Sequence, residues 1–139
     1  MSSTTTSTAA VAAPSSKAVV RTVWTLRILL ALFFAFASAL PKLLALSSAT
    51  VVFDAIGAGH WFMYLTGAIE LAGAVGLLLR RLAGPAATAL IVFLVFAFLT
   101  QLTAMHGENA GTPFFFMVPL AVIAWNRRAE TLEWIGRRA

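Results

Sequence analysis

The chain of 139 residues contains no cysteine, a single tyrosine and only five acidic residues, and charged residues of both signs make up 11% of it. Without cysteine, no thiol–disulfide relay runs through this chain, and haem-thiolate, iron–sulfur and cysteine-zinc sites are excluded. Soluble domains carry roughly a quarter charged residues, so the scarcity of charge points away from a water-facing fold. What fills the space is apolar: 60% of the residues are hydrophobic and mean hydropathy is +0.91. That composition implies a membrane protein. No repeat of the type that builds solenoids is present.

The few charges are unevenly signed, with a net charge of +5. Nucleic acid would need the basic residues gathered on one polar face. Here they flank apolar runs instead, which suits an orienting role in a bilayer and implies no nucleic-acid partner.

Residues 1–18 are rich in Ser, Thr and Ala and lack the bulky apolar side chains needed to fold, so a disordered tail is expected there. A membrane domain of four apolar segments follows over 19–128, with spans at about 20–46, 61–79, 85–102 and 113–126. The first has a competing reading. Basic residues, a short apolar run and Ala37-Ser38-Ala39 resemble a secretory signal with its cleavage site. The run continues past Pro41-Lys42 into further leucines, which favours an uncleaved transmembrane helix.

Between the first two spans lies a loop, Ser47 to His60, with a short interfacial helix over VVFDAI. Pro85 suits the first turn of the third span, and Thr112-Pro113 reads as an N-cap followed by proline at the first helical position. Pro119 is expected to kink the fourth span. Residues 129–139 place Leu132, Trp134 and Ile135 among charges and read as a short amphipathic tail on the membrane surface. The fold class is therefore an all-α membrane protein, a four-helix transmembrane bundle. Lys17, Arg21, Arg80, Arg81, Arg127, Arg128, Arg137 and Arg138 fall on one side of such a bundle. The positive-inside rule then puts both termini in the cytoplasm of a bacterial-type inner membrane.

Within these spans the polar residues are few enough to weigh singly. Glu70 sits in the second span, about 13 Å below the level of Trp61 by helical rise. A carboxylate at that depth is costly and needs a reason. On the helical wheel it shares a sector with Thr66, Gly67, Gly73 and Ala74, where small residues allow a neighbouring helix to come close. Candidate partners are Lys42, Arg27, Ser38 and Gln101, with Lys42 preferred. In the first span Arg27, Ala31, Phe34, Ser38 and Lys42 share one sector, and Arg27 and Lys42 are expected to snorkel to opposite interfaces. The bland account of Glu70 is a buried acid that locks helix packing. The functional accounts are proton or quinone handling, or holding a polar ligand. Asp54, His60, His106 and Glu108 all fall on the outer side; His60 and His106 are weak metal candidates, because their spacing matches no known ligand pattern.

Three stretches together, RILLALFFAFASALPKLLA, GAIELAGAVGLLLRRLAGPAATAL and FLTQLTAMHG, followed by a proline-containing last span, resemble the DoxX-like membrane protein family from about Arg27 to Arg128. The most specific parts are Pro41-Lys42-Leu43 and Gly67-x-x-Glu70-Leu71-x-Gly73-x-x-Gly76-Leu77. Pro41 itself occupies a variable place in the family pattern. The resemblance implies a four-helix integral membrane protein with Lys42 and Glu70 at signature positions. The family takes its name from a subunit of a thiosulfate:quinone oxidoreductase, related members associate with redox or detoxification complexes, and distant relatives act as assembly or cargo factors.

The leading expectation is thus an accessory membrane protein, not catalytic on its own. It would hold a partner or a quinone-like lipid around Lys42, Glu70, Gly67, Gly73 and Gln101. One alternative is a subunit of a quinone-linked oxidoreductase with Glu70 as proton relay, its electrons supplied by a redox partner protein. Another is a small transporter built as a homo-oligomer. No cofactor is encoded, although a quinone would fit the first two readings.

Overall fold

The computed structural model describes residues 16–108 and 110–137, and all the regular secondary structure among them is helical. Helix α1 runs over Lys17–Leu43, α2 over Ser47–Ile56, α3 over His60–Leu78, α4 over Ala83–Ala104, α5 over Thr112–Asn126 and α6 over Arg128–Gly136. Three of them, α1, α3 and α4, are long and apolar enough to cross a membrane, and α5 is apolar but shorter at 15 residues.

Helix ends differ from the sequence expectation for identifiable reasons. α1 begins three residues early because Ser16 Oγ accepts a hydrogen bond from the Val19 N–H at 3.3 Å, capping the first turn. It also stops at Leu43, short of the expected Leu46. Ala45 turns left-handed with φ 50°, and the Leu46 N–H donates back to the Pro41 carbonyl at 2.9 Å, closing the helix. The expected disordered tail over 1–18 falls mostly on residues 1–15, outside the described residues; Lys17 and Ala18 are already helical. At the start of α5 the cap position belongs to Gly111, Thr112 is the first helical residue, and no side chain caps the end.

α1 is not uniform. From Phe33 to Ala39 it widens into a π-helical segment before tightening again at Leu40. Pro41 follows directly, and its missing N–H and ring bulk oppose regular α-helix bonding to the preceding turn. The widened stretch carries Phe34 and Ser38 and delivers Lys42 to the same side of the helix.

The four apolar helices close a ring: α1 packs on α3, α3 on α4, α4 on α5 and α5 back on α1. Leu30 and Phe34 of α1, Leu77 of α3, Leu90 and Leu94 of α4, and Leu120 and Ile123 of α5 fill its middle. The outward faces are apolar too, with Leu29, Phe36, Leu65, Val92, Phe115 and Val118 all exposed. So much exposed hydrocarbon suits lipid and would be a liability in water.

Arg27 overturns its sequence reading. Instead of snorkelling to an interface it is fully buried at 0% exposure. Its Nε donates to the Leu77 carbonyl at 2.6 Å and an Nη to the Leu79 carbonyl at 3.3 Å, while the guanidinium lies 4.3 Å from the centre of the Trp24 ring. The last carbonyls of α3 have no partner within their own helix, and a guanidinium is the donor that satisfies them. The C-terminal stretch also differs. It folds as α6 and docks on the start of α4, where Glu130 accepts from the Gly84 N–H at 3.4 Å and from Arg127 Nη1 at 2.6 Å. Leu132 and Ile135 remain exposed, as a surface-lying helix requires.

Candidate functional site

The α3 sector singled out by helical spacing faces inward. Thr66, Gly67, Glu70 and Ala74 are buried, whereas Trp61, Leu65, Ala68, Ala72 and Leu79 are exposed on the far side. At Gly67 α1 comes close. A methyl group at Gly67 would lie 3.1 Å from Lys42 Cβ, 3.2 Å from Leu43 Cγ and 3.3 Å from the Ala39 carbonyl. Gly73 does the same for α4: a methyl group there would lie 2.6 Å from a Leu90 methyl. These two absent side chains set the depth at which the helices interlock, and that depth decides which polar groups meet.

What meets is a three-membered network. Lys42 Nζ donates to Glu70 Oε2 at 2.6 Å and to Ser38 Oγ at 3.0 Å, and Ser38 Oγ–H donates to Glu70 Oε1 at 2.9 Å. Both carboxylate oxygens are therefore satisfied, each by a different residue of α1. Glu70 is nearly closed off, its side chain 4% exposed, while that of Lys42 keeps 17%. A buried carboxylate is tolerable only with such pairing.

The network forms one patch on the wall of a cavity of about 260 Å³. Phe33, Phe34, Phe93 and Phe116 supply an aromatic side, and Phe33 stacks on Phe116 with ring centroids 4.1 Å apart. Gln101 and Thr100 add polar groups from the far end of α4. Helix α2 forms a further wall through Val52, Phe53 and Ile56, and it is held in place by Phe53 packing on Met63. Sequence reasoning did not foresee this role for α2. The signal was available, because Ala49, Val52, Phe53 and Ile56 recur at helical spacing and make one apolar face.

The cavity thus brings together Lys42, Glu70 and Gln101, with Gly67 behind the pair and Gly73 one helical turn away from it. It does not include the histidines. His60 Nε2 lies 3.4 Å from Asp54 Oδ1, and both side chains are more than half exposed. His106 is an exposed turn residue with φ 52°. Among the described residues no three His, Asp or Glu side chains come together as a metal site would require.

Residues 25–125 match the family model described as the DoxX-like family. The match takes in α1 from its third turn through nearly all of α5, well over half of the chain. The chain belongs to the DoxX-like family. Neither a curated protein nor a solved structure shows significant similarity to it. Family membership and the three long apolar helices together make this a multi-pass membrane protein in contact with the lipid bilayer. All five residues assigned to the candidate site lie within the DoxX-like match, whereas Arg127 and the docked α6 lie outside it.

Proposed function

We propose that this DoxX-like protein crosses the inner membrane four times with both termini cytoplasmic. In this reading it is an accessory protein, without catalysis of its own, that holds a quinone-like membrane lipid in the cavity beside Lys42 and Glu70. The observation that carries the reading is the composition of that cavity: one compact polar patch, Lys42–Ser38–Glu70, in a wall otherwise built largely of phenylalanine and aliphatic side chains. Ligand pockets in general are apolar with a few placed polar groups, and span roughly 300–1,000 Å³. This cavity sits just under that range, enough for a head group and the start of a tail.

The topology draws support from the way the helix ends gather. Arg27 contacts the end of α3, and Gly84 at the start of α4 contacts Glu130 of α6. Arg80, Arg81, Arg127 and Arg128 therefore cluster at one end of the ring, the end that the positive-inside rule makes cytoplasmic. α5 at about 22 Å of rise is short for a bilayer core of roughly 30 Å, and Arg127 and Arg128 can snorkel from its end. Holding a ligand is favoured over relaying protons, since both oxygens of Glu70 are already engaged within the protein.

The reading is tested by mass spectrometry of lipids that co-purify with the protein from native membranes. Wild type is expected to retain a quinone-class lipid in near-stoichiometric amount, and Ala97→Phe, which fills the cavity, to lose it. Equal retention by both would sink the assignment of the lipid to this cavity.

A further inference from the structure

We infer that the groove between α1 and α3 seats one acyl chain of an anionic phospholipid, whose phosphate is held by Arg21, Arg80 and Arg81. Ile28, Leu32 and Ala35 of α1 and Ala74, Val75 and Leu78 of α3 line this groove of about 130 Å³. It shares no residue with the cavity beside Glu70. Every side chain lining it is hydrocarbon, so it offers contact to a run of methylenes and no group to bond. Ala74, 2% exposed, forms the floor, while Leu32 and Val75 are each half exposed and form sides open to lipid.

The charges at the mouth of the groove name the head group. Most cations at this end of the bundle are already engaged. Arg27 is bonded to the Leu77 and Leu79 carbonyls, Arg127 to Glu130, and Arg128 to the Trp125 carbonyl. Arg21, Arg80 and Arg81 are exposed, and their side chains have no partner among the described residues. They approach the groove from both walls. Arg80 and Arg81 stand on the turn that follows Leu78, and Arg21 lies two turns before Ile28 on the same stripe of α1, about 10 Å nearer the helix start. Trp24, one turn before Ile28, is 41% exposed and suits the head-group level between them.

No carboxylate answers these charges. Glu130 is spent on Arg127 and the Gly84 N–H, and α6, which carries it and Glu133, packs against α4 and α5. A phosphodiester supplies the missing anion in the leaflet where the arginines sit. A second copy of the chain would not, because a two-fold dimer across this groove brings the same three cations together.

The test titrates the full chain in detergent with palmitoyl-oleoyl phosphatidylglycerol, with phosphatidylcholine of the same chains, or with inorganic phosphate, and counts bound molecules by native mass spectrometry. One phosphatidylglycerol is expected to bind saturably, about tenfold tighter than phosphatidylcholine, and inorganic phosphate is expected not to displace it. Arg80→Gln combined with Arg81→Gln should cut that preference to about twofold and leave phosphatidylcholine binding unchanged. Ala35→Leu, which fills the groove, should weaken both lipids about fivefold. Should it fail to fold, Val75→Phe carries the same expectation. Ala97→Phe, which fills the cavity beside Glu70, should leave phosphatidylglycerol binding as it is. Equal affinity for the two phospholipids, binding that never saturates, or displacement by inorganic phosphate would overturn the inference. Wild-type affinity in the arginine or groove variant, or loss of binding in Ala97→Phe, would do the same. So would a dimer that Ala35→Leu dissolves, since the groove would then belong to a second copy.

Discussion

Lys42 Nζ and Glu70 Oε2 lie 2.6 Å apart across the seam between α1 and α3, with Ser38 bonded to both. The two charges are tolerable only together. Lys42→Met or Glu70→Leu alone leaves a buried charge uncompensated and is expected to cost about 3–5 kcal/mol. Lys42→Met combined with Glu70→Met removes both charges and should cost much less than the sum of the single changes. Thermal unfolding in detergent, followed by tryptophan fluorescence, measures this. Additive losses would show that the pair is not coupled.

Glu70→Gln separates pairing from charge. Glutamine can still accept from Lys42 and donate to Ser38, so this variant should be more stable than Glu70→Leu and less stable than wild type. If all three unfold at the same temperature, Glu70 sits in a wet, open site instead of the closed one described above.

A methyl group at Gly67 is expected to part α1 from α3. Glycine-to-alanine normally gains about 1 kcal/mol in a helix, but here the added carbon would crowd Lys42 Cβ, Leu43 and the Ala39 carbonyl together. Because one of the three is backbone, rotation of a side chain does not relieve the clash. The expected net result is a loss of about 1–3 kcal/mol, with weaker lipid retention, because the Lys42–Glu70 contact lies on the same seam. A gain in stability would mean that the seam is looser than these distances indicate.

Much of this was open to reading from sequence because a helix reveals its own faces. The wheel separates Thr66, Gly67, Glu70 and Ala74 from Trp61, Leu65 and Ala72, and the structure buries the first group and exposes the second. The pairing of Lys42 with Glu70 was within reach because both side chains are long and only one cation lay near that height. Arg27 was misread because its partner is not a side chain. The Leu77 and Leu79 carbonyls leave no mark in the amino-acid pattern, and a basic residue seen on one helix looks like a residue seeking water. The cavity is hidden for a related reason: it exists only between five helices, one of which reads in the sequence largely as a loop.

Arg27 offers a direct test of that correction. Arg27→Lys keeps the charge but lacks the planar fork that serves two carbonyls at once. A snorkelling residue would accept lysine with no loss. A cap on α3 would not, and the variant should lose about 1.5–3 kcal/mol, with faster amide exchange confined to the end of α3 and the turn after it.

The proposed four-crossing topology makes its own prediction. A reporter active only in the cytoplasm should function when fused after Ala139 and fail when inserted at Gly107. Activity at both positions, or a reversed pattern, would rule out the arrangement with both termini inside.

The buried guanidinium also bears on how the protein reaches the membrane. While α1 is alone, Arg27 has no carbonyls to bind, and near the inner end of its span it can only turn toward the interface. Its partners are the last residues of α3, synthesised some fifty positions later. The first helix therefore gains its stable seat only when the second long helix arrives. The two helices are therefore expected to reach their final packing together, and truncation before Leu77 should leave Arg27 without its carbonyl partners.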